Sequence, residues 1–365
     1  MQMEMLPVKG APSLYLCEEG VLDRLEELLG NYGFTRGVVI HGEKSWKCAQ
    51  PYFPKFRKIA LDFVPYRGNC STSEINRISE ICRNAGAEFV IGVGGGKISD
   101  LTKAVADQLK IDPVNIPTLP STSAPWTALS IVYTDDKVYE RTIFYLKSPL
   151  MVLLEPRMLL DSPLIYMRAG IGDTLAKWYE SEIINRNKPN LRIPIRFALG
   201  TSKVIRDTLL ANSAEAIRSF ERKELTPELI SIFEVIVMCG AVSGFGSENT
   251  RVAAAHAVHN GLTRLEQTKR FIHGEIVAYG ILVQLALEQN WDEIESLIGF
   301  YREIGLPCSL KELGIDAAND GELRTVAEGT LAPGESIYYI DRKFTQEDLI
   351  TAMRDLETFS LKKIS

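Results

Sequence analysis

Histidine is scarce in this chain, with four in 365 residues. Three of them, His256, His259 and His273, fall within eighteen positions, in the stretches RVAAAHAVHNGLT and FIHGE. Imidazoles gathered in this way do two kinds of chemistry. They bind a divalent metal through neutral ring nitrogens, or they move protons near neutral pH. If TRVAAAHAVHNGL is helical, His256, His259 and Asn260 share one face by the i, i+3, i+4 rule. His273 then precedes GEIVAYGILVQLALE, which reads as a further helix. A two-histidine metal site wants a carboxylate. Asp173, in RAGIGDTLAKWYE, is the leading candidate because flanking glycines allow close backbone approach. Glu275 and Glu180 are weaker ones. Plainer roles stay open: Asp173 as the N-cap of the following helix, and the histidines as packed, hydrogen-bonded core groups. Lys177 and Arg251 are nearby cations that would attract an anion.

A second group of residues could hold a phosphate. VIGVGGGKISD sets Gly92, Gly94, Gly95 and Gly96 at a strand-to-helix junction. Glycines permit close ligand approach, and the helix N-terminus that follows offers unpaired N–H groups to an anion. The pattern is neither GxGxxG nor a loop ending in GK[ST], so a tight packing turn is the alternative. PTLPSTSAPWTALS is the other candidate loop. Its prolines fix φ, and Thr118, Ser121, Thr122, Ser123 and Thr127 carry hydroxyls that can meet a ligand. Trp126 and Tyr133 add stacking surface or core.

These loops need a sheet to hold them. TRGVVIHG, RKIALDFV, AEFVIGVGGG, DPVNIPTLPST, SIVYTD and MVLLEP read as strands, and ISDLTKAVADQL has helical period. Such alternation predicts an α/β domain with a parallel, Rossmann-like sheet over 1–160. YTDDKVYERTIFY reads as a local hairpin. Beyond Pro163 long helical periods dominate, including PELISIFEVIVMCGAVSGF, which predicts a helical metal-binding and catalytic domain over 161–365.

Composition narrows the class. Hydrophobic residues make up 45% and charged residues 24%, with net charge −6 and no long basic run. A globular chain without a nucleic-acid partner is expected. The six cysteines form no CxxC pair, which fits a reducing compartment and predicts a cytoplasmic protein. MQMEMLPVKGAP lacks the signal-peptide pattern, and no uncharged apolar run is long enough to span a bilayer.

Taken in order, GVGGGKISDLTKAVAD, PTLPSTSAPWTALSIVYTDD, AGIGDTLAKWYE, AAAHAVHNGLT and HGEIVAYGILVQ resemble the iron-containing alcohol dehydrogenase superfamily. The likeness is greatest to its glycerol-dehydrogenase-like branch, and within that to the hydroxycarboxylate dehydrogenase members, which reduce small 2-oxo acids. The resemblance implies a dehydroquinate synthase-like fold, with an α/β nucleotide domain followed by an all-helical one. It implies Asp173, His256 and His273 as ligands of a divalent metal, usually zinc, though such N/O donors also accept other divalent ions. It implies NADPH or NADH as cosubstrate. Gly94, Gly95, Gly96 and Lys97 match the pyrophosphate loop, and Thr118, Ser121, Thr127, Leu129 and Tyr133 match cofactor contacts. His259 matches a histidine near substrate and nicotinamide, outside the metal's direct ligands. Self-association is common in this branch, so a homo-oligomer is expected.

Two departures from the branch bear on specificity. Glycerol dehydrogenases carry an aspartate where this chain has Ser123, so a carboxylate substrate meets less repulsion here. His259, Ser123 and Asp173 are therefore the expected catalytic set, acting on a 2-oxo or 2-hydroxy acid. Members that prefer NAD also place an acid after the early strand. Here His41 and Gly42 stand near that point, with Glu43 and Lys44 beyond, and Lys44 would pair with a 2'-phosphate. Other readings are a glycerol dehydrogenase acting on a polyol, a glycerol-1-phosphate dehydrogenase, a dehydroquinate synthase-like lyase, and a non-enzymatic α/β ligand-binding protein.

Overall fold

The computed structural model describes residues 6–362, so the first five residues of the stretch read for a leader lie outside it. The chain divides into two compact units. One comprises Lys9–Leu164 with Ser219–Gly244, and the other comprises Ile165–Arg218 with the chain from Phe245 onward. The break falls four residues after the expected boundary at 160, and the helical stretch 219–244 packs with the sheet.

The first unit is built on eight strands: β1 Leu14–Cys17, β2 Arg36–His41, β3 Ala60–Pro65, β4 Phe89–Gly94, β5 Asp112–Pro117, β6 Leu129–Tyr133, β7 Tyr139–Phe144 and β8 Met151–Leu154. Six of them form one sheet in the order β1-β8-β5-β4-β2-β3, and every pairing in it is parallel. β6 and β7 form the separate antiparallel hairpin that their polar, aromatic sequence predicts. Helices α1 Leu25–Gly30, α2 Glu43–Ala49, α3 Thr72–Ala85, α4 Gly96–Leu109 and α5 Pro156–Leu160 connect the strands. Alternate residues of a strand face opposite sides, and here both sides are dry. Val39, Ile91 and Val114 join one core, while Val38, Ile40 and Val90 join the other. That is why these strands read as continuous apolar runs.

Strand order also locates a crevice. The connection after β4 leads to β5 on one side, and the connection after β2 leads to β3 on the other. Neighbouring strands whose connections diverge leave a gap beyond their carboxyl ends, where α/β sheets bind ligands. The glycine-rich turn closes β4 at this gap, and His41 and Gly42 close β2.

One strand was not foreseen, nor was the unit to which one of the expected helices belongs. β1 is a four-residue edge strand, too short for a periodic signal. The stretch 219–244 contributes α8 Pro227–Met238, whose Leu229, Ile232, Phe233 and Ile236 are buried, and most of α9 Gly240–Gly246. The run Pro227–Thr250 is long and apolar enough to cross a membrane by length and composition, but 56% of its most apolar window is buried in the protein.

The second unit is helical: α6 Leu164–Asn185, α7 Ile193–Arg222 up to Arg218, α10 Ala254–Leu262, α11 His273–Leu287, α12 Trp291–Ile304, α13 Asp320–Thr330 and α14 Gln346–Lys362. Among the described residues it contains no strand. α11 is buried along nearly its whole length. Its neighbours come close because glycines remove the side chain at the crossings. A Cβ on Gly274 would sit 1.8 Å from the Ala169 carbonyl oxygen of α6, and one on Gly172 would sit 2.4 Å from the Gly274 carbonyl oxygen. Backbone cannot yield as a flexible side chain can. Gly274→Ala is therefore expected to cost about 1–3 kcal/mol through overpacking, read as a lower thermal midpoint.

Candidate active site

In the second unit α6, α10 and α11 each deliver one side chain to a common point. Asp173, His256 and His273 place one ligand-capable atom each within 4.8 Å of the others. Asp173 lies in the middle of α6, as its tenth residue, so it is no N-cap. His256 is the third residue of α10 and His273 the first of α11. Asp173 Oδ1 is 3.3 Å from His256 Nε2 and 3.4 Å from His273 Nε2. This oxygen is buried and accepts a hydrogen bond from neither ring.

The surroundings fix which nitrogen of each ring carries a proton. His256 Nδ1 lies 2.7 Å from Glu180 Oε2, a carboxylate oxygen that can only accept from it. Its proton is then on Nδ1, and the Nε2 lone pair faces Asp173. Glu180 Oε1 accepts from the backbone N–H groups of Ala253 (2.6 Å) and His256 (2.9 Å), so it also caps α10. Ala253, at the N-cap position, has no side chain to do so. His273 Nδ1 lies 2.8 Å from His259 Nε2, and His259 Nδ1 lies 3.0 Å from Asn260 Oδ1. Asn260 Nδ2 donates to Glu335 Oε2 at 2.9 Å. The one assignment that satisfies the string from Asn260 puts a proton on Nδ1 of both rings, which leaves His273 Nε2 as a lone pair. One carboxylate oxygen and two imidazole lone pairs thus meet with no proton between them. That donor set fits a divalent cation.

Charge agrees with this geometry. Burial pushes the Asp173 carboxyl up, but the Lys177 ammonium and the two imidazoles outweigh it and hold the group well below the usual carboxylate range. Burial likewise opposes ionisation of Glu180, and His256 and Lys177 reverse it. Burial lowers the His256 pKa, yet the Glu180 carboxylate outweighs burial and raises it. His259 is held well below the usual imidazole range, chiefly by burial. It is neutral at neutral pH.

The other carboxylates weighed from the sequence are engaged elsewhere. Glu180 supports His256 instead of competing for the metal. Glu275 Oε2 accepts from the Ile272 N–H in a capping box. Lys177 is buried and donates to the Arg251 carbonyl at 3.3 Å, while the Arg251 guanidinium pairs with Glu248 at 2.9 Å. Glu180 was within reach of sequence reasoning, because Asp173, Lys177 and Glu180 stand at i, i+4 and i+7 on one helix face. Asn260 and Glu335 are 75 residues apart and gave no such signal.

The first unit holds the other candidates. Gly94 ends β4, Gly95 is the N-cap of α4 and Gly96 its first residue, with Lys97 exposed in the first turn. The hydroxyl loop lies against this turn. Thr118 N–H donates to the Gly94 carbonyl at 3.2 Å, and a Cβ on Gly96 would meet Thr122 Cγ2 at 3.0 Å. Ser121 and Ser123 are half-buried, as are Leu129 and Tyr133, and Lys97 Nζ lies 5.4 Å from the Tyr133 ring centroid. Thr118 and Thr127 are buried, and the Thr127 hydroxyl faces Lys103 Nζ at 3.3 Å. Trp126 is core: it is 4% exposed, donates to the Gly10 carbonyl and packs edge-on against Tyr15. Lys44 is exposed in the first turn of α2.

If Glu180 orients His256, Glu180→Gln weakens divalent-ion affinity by about 10- to 100-fold. Competition with a chromophoric chelator measures this, and wild-type affinity would show that His256 needs no such support.

Comparison with known proteins accords with this geometry. Residues 12–156 match the family model for iron-containing alcohol dehydrogenase. The chain is 37% identical to hydroxycarboxylate dehydrogenase A of Escherichia coli (strain K12) over 350 residues, covering 95% of this chain and 96% of that protein. It is 36% identical to glycerol dehydrogenase of Thermotoga maritima over 354 residues, covering 95% and 96%. The crystal structure of a probable glycerol dehydrogenase from Sinorhizobium meliloti 1021 superposes with a TM-score of 0.85 at 30% identity, covering 98% and 99% of the two chains. The chain is an oxidoreductase belonging to the iron-containing alcohol dehydrogenase family.

Proposed function

We propose that the protein interconverts small 2-oxo acids and 2-hydroxy acids by hydride transfer with NAD(P)H, using zinc held by Asp173, His256 and His273. The observation that carries the substrate class is the hydroxyl loop. Thr118–Thr127 holds five hydroxyl side chains and no charged residue, with Ser123 half-buried in it. A carboxylate at that position would oppose an anionic substrate by about 1–4 kcal/mol at ~4 Å. The similarity to a hydroxycarboxylate dehydrogenase supports the same reading.

When bound, the divalent ion supplies Lewis acidity toward the substrate oxygen, and the nicotinamide gives or takes the hydride. The chain's own residues do the rest. Glu180 keeps the His256 Nε2 lone pair directed at the ion, and His259 does the same for His273. Both ring nitrogens of His259 are engaged, by His273 and by Asn260, so for it to take or return the proton of the substrate hydroxyl its Nε2 would first release the His273 N–H. Gly94, Gly95 and Gly96 let the pyrophosphate approach the first turn of α4, and Lys97 supplies a cation beside it.

For the cosubstrate we favour NADPH, with NADH also accepted. A Cβ on Gly42 would sit 3.0 Å from Tyr66 Cε1, so an acid there requires the Tyr66 ring to shift. Exposed Lys44, in the first turn of α2, would meet a 2'-phosphate. The six cysteines, none of them in a disulfide among the described residues, support a cytoplasmic setting, and self-association is expected.

One observation favours a polyol instead: several relatives of comparable identity are glycerol dehydrogenases. A spectrophotometric panel decides. Zinc-loaded protein is tested with NADPH and NADH against 2-oxobutyrate, 2-oxoglutarate and dihydroxyacetone. Higher kcat/KM for a keto acid is expected, and a clear win for dihydroxyacetone overturns the assignment. Ser123→Asp should lower keto-acid kcat/KM by roughly tenfold while sparing dihydroxyacetone, as a charge repulsion of ~1.4 kcal/mol requires. A strong chelator should abolish turnover, and added zinc should restore it.

A further inference from the structure

Lys103 has no part in the reaction described so far, yet it is among the largest fully buried side chains, at 2% exposure. It stands one turn after Asp100 on α4, and the two form an ion pair at 3.0 Å. Its ammonium also reaches out of the helix. Nζ lies 2.6 Å from the Ala124 carbonyl oxygen, 3.1 Å from that of Thr127 and 3.3 Å from the Thr127 hydroxyl, and it also donates to the Leu129 carbonyl. Five oxygens therefore gather around one nitrogen with three protons. Asp100 grips the next residues: its Oδ2 accepts from the Ile131 N–H at 3.2 Å, and its carbonyl accepts from the Ser130 hydroxyl at 2.8 Å. Asn115, on β5, donates to the Pro125 carbonyl at 2.9 Å.

The segment 124–131 needs this outside help. Pro125 has no N–H, and buried carbonyls without donors are costly. α4 meets the need with side chains, and α4 is also the helix whose first turn carries Gly96 and Lys97. We infer that Lys103 is a positioning residue that clips the hydroxyl loop to α4, so that loop and nucleotide cradle form one rigid piece before either ligand arrives. For catalysis this rests on the oxidoreductase reading above. The clip itself does not.

The test separates the two. Removing one partner of a buried pair strands a charge, so both are removed together in Asp100→Asn/Lys103→Met. Hydrogen–deuterium exchange is read by peptide in the metal-loaded, full-length protein, beside fluorescence titration with NADPH. The clip predicts exchange at least tenfold faster over 121–131, with β4 and β5 at their wild-type rates. It also predicts an NADPH Kd raised about tenfold, the order of one lost charged hydrogen bond. Exchange over 121–131 within twofold of wild type, or a rise spread evenly over the unit, overturns the inference. Should the double variant not fold, Lys103→Arg, which keeps the charge on a larger head, is read by the same criteria. Wild-type protein that binds neither NADPH nor NADH would defeat the oxidoreductase reading, while the exchange measurement would still decide the clip.

Discussion

The second unit is organised around an arrangement that opposes itself. A carboxylate oxygen faces the lone pairs of two imidazole nitrogens at 3.3 and 3.4 Å, and all three atoms lie within 4.8 Å of one another. Three electron-rich atoms do not meet in this way unless something stronger than their repulsion holds them. What holds them here is backbone. Asp173 and His273 sit beside the glycines at which α6 and α11 touch, so their separation follows from main-chain packing and not from long side chains reaching inward. His256 is set by a second device, a buried glutamate that caps its helix and accepts a hydrogen bond from its ring with the same carboxylate.

These supports differ in kind. A glycine contact is steric and fails abruptly when a methyl group is added. A hydrogen-bonded support is graded, and its loss changes the direction of a lone pair before it changes the fold. The first unit uses a third kind, in which one buried ammonium collects the carbonyls of a proline-interrupted loop. In each case a polar group is withdrawn from water only where every one of its bonds fixes an element of the site.

Much of this was legible in the sequence. Strands β2, β4 and β8 were visible as apolar runs, because a parallel sheet covered on both faces needs no alternation. The histidine cluster and the glycine turn were visible because rare residue types stood at helical or turn spacing. The rest was hidden for physical reasons. Asp173 could be read as a helix N-cap as well as a ligand, and only the structure shows the helix running straight through it, with Gly172 serving a helix crossing. Trp126 could be read as stacking surface or as core, and its indole N–H has a backbone partner within the unit. The stretch 219–244 carried helical period, and period says which face is buried without saying against which core.

That last stretch has a consequence for how the protein is made. The sheet unit is not finished when its last strand leaves the ribosome, because α8 packs within that unit and arrives only after the chain has spent 165–218 in the other one. At roughly 5–20 residues per second, the wait is on the order of several seconds. Throughout it the sheet unit lacks the helix whose Leu229, Ile232, Phe233 and Ile236 are buried in the complete protein. Synthesis of the two units is thereby interleaved, and the sheet unit cannot be completed until 165–218, which belong to the other, have been made.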